Sequence, residues 1–121
     1  MVVLRIRTTR AARLGLVAVF LLGAGGAPSD STSVQIVEPP LKPPATWAYE
    51  PAVVTVRVGT TVTWTNTGAV VHTVTADDGK SFDSGVMRPK AVFKLMPTSP
   101  GKFTYHCTYH RWMKGTLIVK P

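Results

Sequence analysis

The sequence predicts an all-β domain, either a β-sandwich or a Greek-key barrel, and three observations carry that prediction. Ten glycines and ten prolines among 121 residues indicate many turns. Short stretches of alternating apolar and polar residues recur along the chain, as in strands that bury one face. No stretch after residue 26 has the 3.6-residue period of an amphipathic helix. About seven short strands at this spacing are typical of a two-sheet or barrel fold.

The individual strands follow from the alternation and from the turn residues between them. The predicted strands are 34–37, 54–58, 61–65, 70–75, 91–96, 102–107 and 116–120. Five prolines in the segment 38–51 predict an extended loop or an edge segment, which Trp47 and Tyr49 should pack onto the core. Val62 and Trp64 alternate with threonines, so we expect both side chains on the core face.

The N-terminus has the pattern of a secretory signal peptide, predicted over residues 1–26. Four arginines lie in the first 13 residues, an apolar run follows from Leu14 to Leu22, and small residues come next. An uncleaved membrane anchor is the alternative, but the apolar run is short beside the about 20 residues that a span needs. Cleavage would leave a flexible tail, residues 27–33, and one domain, residues 34–121. We therefore expect an exported protein, periplasmic or extracellular, without stable membrane insertion after cleavage.

The charge balance limits the choice of partners. The whole chain has 14 basic and six acidic residues, and removing the predicted signal leaves ten basic residues and a formal charge of +4. The remaining basic residues are scattered, without the dense cluster that would follow a phosphate backbone. We expect no nucleic-acid partner, and a basic face that steers an acidic protein partner is plausible. A monomer is the default expectation.

The most informative segment begins at the single cysteine, Cys107, and reads Cys-Thr-Tyr-His-Arg-Trp-Met. It lies between two predicted strands, so a thiolate, the imidazole of His110 and the thioether of Met113 would share one loop at an end of the fold. His72, 35 residues upstream, supplies a second imidazole. Two His, one Cys and a weak axial Met are the ligands of a blue-copper electron-transfer site.

Each of these residues taken alone has a simpler explanation. A lone His in a strand is usually a core or surface residue, and a lone Cys or Met usually packs in the core. The spacing of the three loop residues in an exported β-protein is what favours a metal site. His106 is left out, because it neighbours Cys107 on a strand and its side chain should point to the opposite face.

At these residues the chain resembles the cupredoxin (type 1 copper) family, particularly its amicyanin and plastocyanin-like branch. The resemblance covers about residues 34–121 and rests on VGTTVTWTN (58–66), HTVT (72–75), FDSG (82–85), PGKFTYHCTYH (100–110) and GTLIVK (115–120). It implies a Greek-key β-sandwich with one copper ion at one end and single-electron transfer between redox partners. Carried over by position, the ligands are His72, Cys107, His110 and Met113.

The chain departs from that branch in two places. Thr73 stands where the amicyanin pattern has an Asn that ties the first ligand strand to the ligand loop. Thr73 is expected either to donate to the region of Thr108 or to leave the link absent. Tyr109 and Arg111 replace loop prolines, so Arg111 adds a charge beside the expected docking surface.

His110 lies within the loop and His72 within a strand, so we expect His110 to be the partly exposed ligand and the electron port. Tyr109, Trp112 and Met87 are the candidates for an apolar collar where redox partners dock.

The rival functions are a copper carrier, a metal-free structural β-sandwich and an enzyme with a Cys–His nucleophile pair. The chain lacks Met-rich or His-rich tracts, which disfavours a carrier, and no orienting carboxylate is evident near the Cys–His pair, which disfavours an enzyme.

Overall fold

The structure is a computed structural model that describes residues 31–121. The predicted signal peptide, residues 1–26, lies outside the described residues, and so do the first four residues of the predicted tail. In the described part of the chain, the helical content is one 3-10 turn, Pro44–Thr46. No helix in this part is long and apolar enough to cross a membrane.

Within residues 31–121, eight strands form two four-stranded sheets, which confirms the predicted all-β sandwich. The strands are β1 Ser31–Val37, β2 Ala48–Glu50, β3 Val53–Arg57, β4 Thr61–Asn66, β5 Thr75–Ala76, β6 Val92–Leu95, β7 Gly101–His106 and β8 Lys114–Lys120. The first sheet has the order β2-β1-β4-β6, and the second has the order β3-β8-β7-β5. Two pairings are parallel, β1 with β4 and β3 with β8, and the other four are antiparallel.

The core lies between the sheets and contains apolar strand positions that the alternation identified, together with residues outside the strands such as Met87 and Met113. Val62 and Trp64 of β4 are fully buried, as predicted. The indole Nε1 of Trp64 donates a hydrogen bond of 3.1 Å to the Tyr105 hydroxyl, which satisfies a polar atom in the core. Tyr49, on the edge strand β2, is buried and donates to the backbone oxygen of Thr73 at 2.6 Å. The proline-rich segment is therefore fastened to the core beside the predicted site.

Two local predictions were wrong. The tail was predicted to reach residue 33, but β1 begins at Ser31, because Ser31 already pairs in parallel with Thr61 of β4. The strand predicted over 70–75 is reduced to β5, and His72 instead forms an isolated bridge with Met87. An alternating sequence extends a strand only where a neighbouring strand pairs with it, and here a loop residue takes that place.

Candidate metal centre

His72 is held by its own backbone at one end of the sandwich. Its N–H donates to the Met87 oxygen at 3.1 Å, and the Met87 N–H donates to the His72 oxygen at 2.8 Å. Asn66, fully buried at the end of β4, donates from Nδ2 to the Met87 oxygen at 2.9 Å and to the Val70 oxygen at 2.8 Å. The imidazole of His72 is itself fully buried. This backbone frame leaves the ring little freedom to move.

The loop 107–113 joins β7 to β8 and folds back on itself. The Cys107 N–H donates to the Met113 oxygen at 3.2 Å, and the Met113 N–H donates to the His110 oxygen at 2.8 Å. Cys107 and Met113 are buried, whereas His110 is half-buried. The prediction that His110 is more exposed than His72 is confirmed.

The structure brings His72, Cys107 and His110 together, and we call these three residues the donor cluster. Cys107 Sγ lies 3.8 Å from His72 Nδ1 and 3.5 Å from His110 Nδ1, and the two Nδ1 atoms are 3.2 Å apart. Bonds of about 2.0 Å to nitrogen and 2.3 Å to sulfur, at angles of about 105–120°, would separate such ligand atoms by about 3.2–3.8 Å. The donor cluster thus fits a single ion of that size.

The surroundings of Cys107 favour the thiolate form of its side chain. Burial raises its pKa, but hydrogen bonds with His72 and from the N–H groups of Thr73 and the loop outweigh this, and the pKa falls to about 6. The Thr73 N–H lies 3.4 Å from Sγ. A thiolate beside two imidazoles combines a soft sulfur ligand with nitrogen ligands, which suits copper in both of its oxidation states.

A threonine link ties the His72 segment to the cysteine loop. The Thr108 N–H donates to Thr73 Oγ1 at 2.9 Å, and the Thr75 hydroxyl lies 2.9 Å from the same oxygen. Of the two expectations for Thr73, the link is present: the Thr73 hydroxyl donates to Thr108 Oγ1 at 3.4 Å, as expected, and Thr73 Oγ1 also accepts the shorter bond from the Thr108 N–H. Thr73 is buried, so this bond holds the two segments at a fixed separation.

Three aromatic side chains surround the exposed edge of His110. Ring centroids lie 5.1 Å away for Trp47, 5.3 Å for Trp112 and 6.4 Å for Tyr109. Tyr109 and Trp112 are about half exposed, as expected of a collar. Met87 was expected in the same collar, but that was wrong, because its bridge to His72 draws it into the buried core.

Glu38, the residue directly after β1, contacts the site although its sequence position did not predict this. Its Oε2 lies 2.7 Å from His72 Nε2, on the opposite side of the ring from Cys107. An orienting carboxylate therefore does lie at the site, contrary to expectation, although it contacts His72 rather than His110. The only sequence signal was an acidic residue between a strand and a proline pair, which does not reveal a contact 34 residues away.

The third histidine, His106, stays outside the donor cluster, as predicted. Its Nδ1 lies 2.5 Å from Asp77 Oδ1, and its side chain is 15% exposed. This pair lies on the outer face of β7, away from the donor cluster.

The sequence is similar to one family of known proteins. A family model described as a Cupredoxin-like domain matches residues 14–119. Amicyanin-alpha from Methylorubrum extorquens is 32% identical over 98 residues, which cover 78% of this chain and 76% of that protein.

Two solved structures share the fold. A purple cupredoxin from Nitrosopumilus maritimus superposes with a TM-score of 0.66 at 26% identity, covering 74% of this chain and 99% of that one. A copper-containing nitrite reductase from Thermus scotoductus gives a TM-score of 0.68 and covers 84% of this chain but 25% of its own. At 23% identity, the reductase is similar in fold alone.

Proposed function

This chain belongs to the cupredoxin-like family and is a small electron-transfer copper protein, and we propose how its residues perform that task. The donor cluster and Met113 would hold one type 1 copper ion. The observation that carries this assignment is the triangle of ligand atoms, 3.2–3.8 Å on each side, around the only cysteine of the chain. When bound, copper supplies one-electron chemistry between Cu(I) and Cu(II).

The protein contributes a frame that keeps the ligands in place in both oxidation states. The bridge between His72 and Met87, the link from Thr108 to Thr73 and the closed loop behind Cys107 each fix one part of the site. Ligands that do not rearrange allow fast electron exchange, because little structural change accompanies each transfer.

Electrons enter and leave at His110, since it is the member of the donor cluster with an exposed edge. Tyr109 and Trp112 present apolar surface around that edge, and Arg111 adds an exposed positive charge beside them. A partner with an apolar patch and acidic residues would fit this surface. Such redox contacts are brief and bury less than about 1,200 Å².

Catalysis by Cys107 as a nucleophile is a weaker candidate, although Glu38, His72 and Cys107 are arranged in the order of a triad. Cys107 and His72 have no exposed surface, so a substrate carbonyl cannot reach the sulfur. We therefore propose an electron carrier and not an enzyme.

Export is proposed from residues 1–26, whose charge and apolar run match a signal peptide. The mass of the protein recovered from the periplasm or medium of the producing cell tests this. A mature chain that begins near residue 27 is expected, and an intact N-terminus in a membrane fraction would contradict it.

The visible spectrum after addition of one equivalent of Cu(II) tests the copper site. We expect an intense blue or purple band from thiolate-to-copper charge transfer, bleached by a mild reductant and restored by an oxidant. The Cys107→Ala variant should lose the band. A parent without a band, binding copper as weakly as Cys107→Ala, would refute the site. Copper that leaves the protein on each reduction would favour the carrier function instead.

The port is tested by electron self-exchange between oxidised and reduced copies, followed by NMR line broadening. Trp112→Lys should slow self-exchange, because it replaces apolar surface beside His110 with a repelling charge, while the visible spectrum stays unchanged. Met96→Lys is the control, since Met96 is similarly exposed but lies at the opposite end of the sandwich, beyond β6. Equal rates in the two variants would refute the port.

A further inference from the structure

A carboxylate lies directly behind one of the proposed ligands. Glu38 Oε2 is 2.7 Å from His72 Nε2, while Nδ1 of the same ring faces Cys107 and His110. The Glu38 side chain is 11% exposed, and the His72 ring is fully buried. Both ring nitrogens of His72 are therefore engaged within the protein, on opposite sides of the ring.

The loop after β4 holds this carboxylate in place. The Ala69 N–H donates to Glu38 Oε1 at 2.8 Å, and the Val70 N–H donates to Oε2 at 3.1 Å. Gly68 lies against the same group, and a Cβ at that position would overlap the Glu38 carboxylate. Both carboxylate oxygens of Glu38 accept hydrogen bonds from backbone N–H groups, so the carboxylate is held as an acceptor toward His72. The contact with His72 thus comes from a fixed, charged acceptor.

We propose that Glu38 is a positioning residue that selects Nδ1 of His72 as the copper-binding nitrogen and favours Cu(II) over Cu(I). The inference rests on the proposed function, since it takes His72 as a ligand. An ionised carboxylate can only accept a hydrogen bond, so Nε2 must carry the proton and Nδ1 keeps its lone pair for a metal. The negative charge also makes the imidazole a stronger donor, which stabilises the more highly charged metal ion.

Burial of His72 makes this role hard to replace. Without an acceptor, the Nε2–H would be buried and unpaired, which costs free energy. A change of tautomer or a rotation of the ring would remove that cost. Either change would take the lone pair of Nδ1 away from Cys107. Glu38 therefore acts on the site through the ring, without touching the metal position.

The test compares Glu38→Gln with Glu50→Gln, the same chemical change at an exposed glutamate on β2. In Glu38→Gln we expect the ratio of Cu(II) to Cu(I) affinity to fall about tenfold, which is a rise of about 59 mV in the one-electron reduction potential. Voltammetry of the copper-loaded full chain measures this shift. Glu50→Gln should keep the parent potential.

A second measurement uses the metal-free protein and does not depend on copper binding. Long-range ¹⁵N–¹H NMR of the histidine rings should show His72 protonated at Nε2 in the parent and in Glu50→Gln. In Glu38→Gln the Nδ1–H form should appear alongside it, because the amide can turn its NH₂ group toward the ring. Thermal unfolding of the metal-free variants checks that each one folds.

The outcomes separate this inference from the proposed function. A blue parent with equal potentials in both variants and an unchanged His72 tautomer would overturn the role of Glu38 while leaving the copper site standing. A parent that binds no copper would refute the proposed function, and the NMR result alone would then decide whether Glu38 sets the tautomer. If Glu38→Gln fails to fold, Glu38→Asp is measured in the same way. It keeps the charge but shortens the side chain by one methylene, so it should lengthen the contact with His72 Nε2 and let the Nδ1–H tautomer appear. A parent-like tautomer with a parent-like potential would then overturn the role of Glu38.

Discussion

Replacing Thr73 by valine should loosen the connection between the two halves of the site without changing its ligands. Thr73 Oγ1 accepts the Thr108 N–H at 2.9 Å and lies 2.9 Å from the Thr75 hydroxyl. Valine has the same shape as threonine, so the change removes hydrogen-bonding capacity and leaves no cavity. The bond from the Thr73 N–H to Cys107 Sγ belongs to the backbone and is retained.

The expected loss of stability follows from the N–H left without an acceptor. An unsatisfied buried donor costs about 1–3 kcal/mol, and because this bond is only partly buried we expect about 1.5 kcal/mol. For a domain of this size that corresponds to a fall of about 6–12 °C in Tm. The stabilisation gained on copper binding should also decrease, because the His72 and Cys107 segments are no longer held at a fixed separation.

Differential scanning calorimetry of the metal-free and copper-loaded forms measures both effects. Thr55→Val is the matched control, since Thr55 is an exposed threonine on β3. It should change the free energy of unfolding by no more than about 0.5 kcal/mol. If Thr73→Val melts at the same temperature as Thr55→Val in both forms, the link does not hold the site together.

Three further predictions concern single positions. Gly115→Ala should lower the urea midpoint by the equivalent of about 1–3 kcal/mol, because the new Cβ would overlap the Tyr105 ring, and an unchanged midpoint would contradict this packing. Met113→Leu should keep the metal-free stability within about 1.5 kcal/mol of the parent, because it keeps the volume of a buried side chain. It should raise the reduction potential, because it removes the thioether. An unchanged potential in voltammetry would argue against Met113 as axial ligand. Hydrogen bonds from the Ser81 hydroxyl and N–H lower the pKa of Asp78 to about 2, so its contribution to stability is present above about pH 4 and is lost as the pH falls toward 2. A carboxyl ¹³C titration should therefore have its midpoint near 2 for Asp78, and a midpoint near 4 would show that the Ser81 contacts do not form in solution.

Much of the fold was predictable because strands with one buried face impose a two-residue period on the sequence. Val62 and Trp64 were placed in the core correctly, and the ends of β4 and β7 were predicted to within one residue. The prediction failed at residues 70–74, where the alternation is equally clear. Strand pairing depends on a neighbour, and the partner of His72 is a loop residue, Met87.

The chemistry of the site was predictable in part for a similar reason. A seven-residue segment contains Cys107, His110 and Met113, so these residues share one loop irrespective of how the rest of the chain folds. His72 was assigned to the same site from its residue type and from the family resemblance, and the structure places it beside Cys107 and His110. The exposure of His110 also followed from its position within a loop.

By itself the sequence predicted the proposed metal ligands, the strand period and the loop that carries three of those four residues. Only the tertiary structure decided which groups support them: Glu38 behind His72, Trp47 beside His110, and Thr73 as an acceptor for the loop. Local patterns follow from backbone geometry and from burial of one face, both of which the sequence states directly. Contacts between segments more than 30 residues apart depend on how the sheets pack, and no local pattern encodes them.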